Sequence, residues 1–112
     1  MKRLILAILI VGVVSPAMGR IQTSGFTGNL LLNWCEATTG EAMFCQFYIT
    51  GVADGLVIGR IPNNQVICRP PNSTNRQLQD IVKKFLQDNP TQRNSSATVL
   101  IFTALREAFP CQ

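Results

Sequence analysis

Four cysteines are the feature that most limits how this short chain can fold. Cys35, Cys45, Cys68 and Cys111 are separated by 10, 23 and 43 residues in a chain of 112 residues, which is long enough for one domain. In a short exported chain, an even number of cysteines predicts disulfide bonds. A four-cysteine zinc site is the alternative, but the sequence has no Cys-x-x-Cys pair and no histidine. We therefore predict two structural disulfides and no bound metal.

The N-terminal residues predict export from the cytoplasm. A basic start precedes an unbroken apolar run at residues 4–14, and small residues up to Gly19 form a cleavage site. This run of eleven residues is well short of the roughly 20 that a membrane-spanning helix needs. We expect a cleaved signal peptide at residues 1–19, a mature domain at residues 20–112 and no stable membrane anchor.

The predicted mature domain carries a small net charge. Without Lys2 and Arg3, eight basic residues stand against six acidic ones, so the net charge falls from +4 to +2. A basic excess this small does not indicate nucleic acid or an anionic surface as the partner.

The sequence offers little for catalysis. Because it contains no histidine, the usual serine and cysteine triads and histidine-containing metal sites are excluded. The six carboxylates are spread over different predicted elements, and no two of them suggest a paired-carboxylate hydrolase. Four paired cysteines would leave no reactive thiolate. We therefore predict a binding protein, without enzymatic activity and without a cofactor.

Apolar periodicity predicts an all-α domain of four helices. Helices are expected at about residues 28–37, 41–58, 75–89 and 96–109. The third is the clearest, because Thr74 and Gln77 form a capping box ahead of apolar residues at helical spacing. The connections are short except for residues 59–72, which are rich in glycine, proline and asparagine.

The second predicted helix, around residues 45–55, is expected to be the centre of the packing. Tyr48, Gly51 and Gly55 recur at steps of three and four residues, so they share one face. Each glycine lowers helix propensity by about 1 kcal/mol relative to alanine, a cost that suggests close approach of another helix. We therefore predict that Gly51 is a close-packing position. Asp54 lies beside an apolar run and is expected to have a partner or water.

An up-and-down arrangement of the helices favours one disulfide pairing. The end of the first helix and the start of the second would place Cys35 beside Cys45, and the long connection and the C-terminus would place Cys68 beside Cys111. The long connection could also carry Cys68 elsewhere, so the other pairings stay open.

The cysteines belong to a longer ordered pattern. It consists of Cys35, Cys45-x-x-Tyr48-x-x-Gly51-x-x-Asp54, Cys68-x-Pro70, an amphipathic helix ending in Asn89-Pro90, and Phe109-Pro110-Cys111. Over residues 28–111 this pattern resembles the Rap/Tai family of periplasmic immunity proteins. The resemblance implies a small disulfide-bonded helical protein, often a homodimer. Such a protein would bind and inhibit a secreted peptidoglycan amidase toxin of type VI secretion, with no chemistry of its own.

The residues that carry the resemblance are framework positions, so they do not locate the contact with a toxin. We interpret four of them, together with the neighbouring Gly55, as packing or framework residues: Tyr48, Gly51, Asp54 and Pro70. The connection at residues 59–72 is the first candidate for the contact, because loops carry function more often than helices and prolines stiffen this one. Its two cationic side chains, Arg60 and Arg69, are of a type enriched at interface hot spots.

Two other functions stay open. The first is an acid-stress chaperone of the HdeA type, although two disulfides and few acidic residues do not favour acid-triggered opening. The second is a domain of the same family that has no toxin partner. A neighbouring gene for a secreted amidase would discriminate between these alternatives.

Overall fold

The computed structural model describes residues 25–58 and 67–111, together with Gly12. Four α-helices form the domain: α1 (Gly28–Glu36), α2 (Glu41–Ile58), α3 (Asn75–Asp88) and α4 (Ala97–Ala108), with a short 3-10 helix at Pro90–Gln92. Helix α2 packs against the other three α-helices. The predicted all-α, four-helix architecture is confirmed. The predicted signal peptide lies outside the described residues apart from Gly12, so it stays a prediction.

Local capping residues determine where the helices begin. The Thr27 hydroxyl accepts a hydrogen bond from the Leu30 N–H at 3.3 Å and starts α1. At α3 the predicted capping box is present, since Thr74 Oγ1 accepts from the Gln77 N–H at 3.1 Å and Gln77 Oε1 accepts from the Thr74 N–H at 2.7 Å. Each cap satisfies backbone donors that have no partner within the helix.

The core lies between the four helices. Seven aliphatic side chains are almost completely buried there: Leu31, Ile49, Leu78, Val82, Leu86, Ile101 and Leu105. They come from all four helices at helical spacing, so each helix contributes one apolar face. This shared core aligns the helices and determines which faces remain outside.

Two disulfides brace the ends of the domain. Cys35 is bonded to Cys45, with 4.9 Å between their Cα atoms, and Cys68 is bonded to Cys111, with 5.0 Å. The pairing expected from an up-and-down arrangement is therefore confirmed. Next to the second bridge, the Cys68 N–H donates to the Phe109 carbonyl at 2.9 Å, so the C-terminus is held against the connection.

The prediction that Gly51 is a close-packing position is wrong within the described chain. Gly51 and Gly55 are both exposed, and a Cβ atom added to either would meet no described atom within 4 Å. The reason is that α2 turns its other side, with Cys45 and Ile49, towards the core. Asp54 is also exposed, which agrees with the expectation that water could serve as its partner.

The close-packing glycine is Gly28, at the start of α1. A Cβ atom there would collide with Leu100 Cδ1 and lie 3.1 Å from both the Cα and the carbonyl oxygen of Arg93. The Gly28 N–H donates to the Ser95 carbonyl at 3.0 Å, so the starts of α1 and α4 are tied together through backbone atoms. Only a residue without a side chain fits between them.

In the described part of the chain, no helix combines the length and the apolar character that crossing a membrane would require.

Candidate partner-binding surface

Helix α2 is apolar on two opposite sides, and only one of them is buried by the domain. The second side, here called the α2 outer face, consists of Met43, Phe44, Phe47, Gly51, Asp54 and Gly55. Its three large apolar side chains are 56%, 55% and 64% exposed in chain order. These residues recur at three- and four-residue steps, so they form one continuous stripe. A helix that is apolar all round normally has neighbours on all sides.

A cluster of aromatic rings adjoins this face. The aromatic cluster consists of Phe26, Trp34, Phe44 and Tyr48, with ring centroids 5.3 Å apart for Phe26–Trp34, 5.5 Å for Phe26–Tyr48 and 5.8 Å for Trp34–Phe44. All three pairs meet edge to face, the arrangement that the ring quadrupoles favour. Phe44 belongs to both sets, so the outer face and the cluster form one surface.

A hydrogen bond fixes the inner edge of the aromatic cluster. The hydroxyl groups of Tyr48 and Thr98 lie 3.0 Å apart, which links α2 to the first turn of α4. The framework role predicted for Tyr48 stays a prediction, and this half-buried position between ring contacts and a polar contact supports it. The rings are consequently held in place by the domain.

Charge is distributed unevenly over the domain. Helices α1 and α2 contain Glu36, Glu41 and Asp54 but no lysine or arginine. Every basic residue in the described chain belongs to α3, α4 or the segments beside them: Arg69, Arg76, Lys83, Lys84, Arg93 and Arg106. Glu36 accepts a hydrogen bond from the Gln87 side chain of α3 at 3.1 Å, whereas Glu41 and Asp54 are exposed on α2. The α2 outer face therefore carries an acidic group at Asp54, with a second at Glu41 about one turn before Phe44, and α1 and α2 carry no basic group.

The second candidate surface is the connection that was expected to contact a toxin. Arg69 bonds within its own segment, since its Nε donates to Ser73 Oγ at 2.7 Å and its Nη2 donates to the Ser73 carbonyl at 2.9 Å and to Asn75 Oδ1 at 3.3 Å. Ser73 in turn donates to the Pro70 carbonyl through its hydroxyl at 2.8 Å. Arg69 and Pro70 thus shape the entry to α3. Arg60 lies outside the described residues.

A shallow groove of about 360 Å³ lies next to this segment. It is lined by Pro70, Asn72, Ser73, Gln77, Asp80, Ile81 and Phe109. The lining offers one carboxylate and no cluster of groups that could perform catalysis. Within the described ranges no group of three or more histidine, cysteine or acidic residues could hold a metal ion.

Comparison with known proteins identifies the type of protein. A family model described as Rap1a immunity proteins matches residues 27–111, which include all four helices and both disulfides. The chain belongs to the Rap1a immunity proteins. Searches of curated proteins and of solved structures found no significant match.

Membership of the Rap1a family agrees with the resemblance to the Rap/Tai immunity proteins seen in the spaced cysteines. Rap1a immunity proteins are not enzymes, and the family implies binding to a cognate toxin. Together with the two disulfides, it also indicates a location outside the cytoplasm.

The exposed apolar surface was missed by reasoning from the sequence. That reasoning placed the exposed side of α2 in the interior, because its glycines suggested a neighbouring helix. A usable signal was present in the pairing of Cys35 with Cys45, since a bridge to α1 turns the Cys45 side of α2 inward. Phe47 and Gly51 lie on the other side of the helix and must then face outward.

Proposed function

We propose that this chain is a periplasmic immunity protein that binds and inhibits a peptidoglycan amidase delivered by type VI secretion. The observation that carries the proposal is the family match over residues 27–111. This match favours an immunity role over an acid-stress chaperone. In such a role, the functional part of the molecule is a binding surface and not a reactive group.

The disulfides support the choice of compartment. Bonds such as Cys35–Cys45 and Cys68–Cys111 form and persist in oxidising compartments, of which the bacterial periplasm is one. The signal peptide predicted at residues 1–19 would deliver the chain there. A peptidoglycan amidase acts on the cell wall, so toxin and immunity protein would meet in the same compartment.

The connection at residues 59–72 remains a proposed contact. Because Arg69 already donates hydrogen bonds to Ser73 and Asn75, its contribution would be to stiffen the segment that a toxin meets. Arg60 is the other cationic side chain proposed for the contact.

The proposal is tested by producing a secreted amidase, encoded next to the gene for this chain, in the periplasm with and without the chain. We expect lysis without the chain, and growth with it. A catalytically inactive amidase is the control, because it should copurify with the chain without causing lysis.

Charge reversal then tests the connection separately. If Arg60→Glu and Arg69→Glu both still protect, the connection is not part of the interface and the immunity role stands. If the wild-type chain neither protects nor copurifies, and instead suppresses client aggregation at low pH, the chaperone function replaces the proposal.

A further inference from the structure

The α2 outer face is an unusually apolar surface to leave uncovered. Met43, Phe44 and Phe47 are each more than half exposed, and they adjoin one another along a single helix face. Isolated exposed apolar residues are common, but a contiguous patch of this kind marks an interaction site. Through the contact between Phe44 and Trp34, the patch continues into the aromatic cluster.

The composition of this surface is that of an interface core. Phenylalanine, tyrosine, tryptophan and methionine are enriched at protein interfaces, and aromatic anchors supply much of the binding energy. The rings of Phe26, Trp34, Phe44 and Tyr48 already contact one another in the free chain. Since these rings are held in place, a partner would immobilise few freely rotating side chains on binding.

The two exposed glycines of α2 are consistent with a docking function for the same surface. Gly51 and Gly55 weaken the helix, and no described part of the chain uses the space above them. They leave the α2 backbone open at two positions that follow Phe47 on the same face. A partner can therefore approach the backbone here and contact the Phe47 ring at the same time.

Charge indicates which partner fits. Glu41 and Asp54 are exposed on α2, and neither α1 nor α2 carries a basic residue. A second copy of the chain, placed on this face by a two-fold axis, would bring the acidic groups of both copies into one interface without a cation from these helices. A partner with lysine or arginine around an apolar patch would instead pair with them.

We propose that the cognate toxin docks on the α2 outer face and the aromatic cluster, through an apolar surface bordered by lysine and arginine side chains. The proposal rests on the proposed function, since it takes the amidase toxin as the partner. It makes the outer face the main contact. The connection at residues 59–72 follows α2 in the sequence, directly after Ile58, and stays a separate proposed contact.

Photo-crosslinking tests which molecule covers the face. A photoreactive phenylalanine analogue is placed at Phe47, and at Val99 as a control, because Val99 is an apolar residue of α4 with 47% exposure. The toxin must first copurify with the wild-type chain; if it does not, the proposed function fails and this proposal fails with it. In the complex, we expect a crosslink from position 47 to the toxin and none from position 99.

Two outcomes would overturn the docking proposal and leave the immunity role intact. One is a crosslink from position 47 to a second copy of the chain. The other is a complex that forms with no crosslink to the toxin from position 47.

Variants provide an independent measurement. We expect Phe47→Glu and Gly51→Leu each to weaken toxin binding at least about ten-fold, the effect typical of residues in an interface core. Glu41 lies beside this face, so Glu41→Lys should weaken binding mainly by slowing association, and the loss should shrink as salt is added. Val99→Glu and Asp88→Lys are the matched controls for apolar and charged positions, and they should bind as the wild type does. Gly51→Leu keeps the test valid if Phe47→Glu impairs folding, since leucine favours the helix. Wild-type affinity in all three test variants would refute the proposal.

Discussion

Replacing Gly28 by alanine should destabilise the domain, whereas the same replacement at Gly51 should not. At Gly28 an added Cβ atom would collide with Leu100 Cδ1 and lie 3.1 Å from two backbone atoms of Arg93. Leu100 is only 3% exposed, so its side chain has little room to move away. The Arg93 backbone is held by the Asn29 N–H, which donates to its carbonyl at 3.0 Å. At Gly51 the added atom meets no described atom.

The magnitudes follow from two opposing effects. Overpacking a well-packed site costs about 1–3 kcal/mol, and exchanging glycine for alanine within a helix stabilises it by up to about 1 kcal/mol. Gly28 is the first residue of α1, where the gain measured for helix interiors is small, so the net loss expected for Gly28→Ala is about 1–3 kcal/mol, equivalent to a Tm roughly 5–20 °C lower for a domain of this size. For Gly51→Ala only the helix term applies, so its Tm should be unchanged or up to about 8 °C higher.

The assay is thermal unfolding followed by far-ultraviolet circular dichroism, with both disulfides intact in every protein. The two alanine variants have the same chemical change, so each is the control for the other. The reasoning would be refuted if Gly28→Ala unfolded at the wild-type temperature or if Gly51→Ala were the less stable of the two.

Two further substitutions test other parts of the fold by urea denaturation. Arg93→Met should lower the free energy of unfolding by about 1.5–3 kcal/mol, because the Arg93 side chain donates to the Leu86 carbonyl at 2.7 Å at the end of α3. The control Arg76→Met removes an exposed ion pair and should lower it by less than about 1 kcal/mol. Equal losses would contradict the capping role of Arg93. Replacing Cys68 and Cys111 together by serine should lower the free energy of unfolding by about 4 kcal/mol, because the disulfide closes a separation of 43 residues. An unchanged urea midpoint would show that this disulfide adds no stability.

The features that could be predicted from the sequence are those that neighbouring residues determine. The start of α3 follows from Thr74 and Gln77, whose spacing allows each side chain to satisfy the other's backbone. The bond between Cys35 and Cys45 follows from a short connection, which brings the ends of two successive helices together. Both inferences need only a few consecutive residues and ordinary helix geometry.

The orientation of α2 could not be predicted from periodicity alone, without the constraint that the Cys35–Cys45 bond adds. Periodicity identifies residues that share a face, but α2 has apolar residues on two faces, with Ile49 on one and Phe47 on the other. The spacing of the apolar residues is compatible with burial of either face. The role of Gly28 was hidden for a related reason, because the atoms that exclude a side chain there belong to Arg93 and Leu100, more than sixty residues away along the chain.

The most direct test of the immunity role is inhibition of the amidase by the purified chain. A candidate secreted amidase, identified by its gene beside that of this chain, is incubated with peptidoglycan, and the release of cleaved peptides is measured as the chain is added in increasing amounts. The account predicts that activity falls in proportion to the added chain and ends near one chain per active site. It also predicts that Phe47→Glu shifts this titration to much higher concentrations, whereas Val99→Glu does not. Amidase activity that stays unchanged in a large excess of the folded, disulfide-bonded chain would contradict the account.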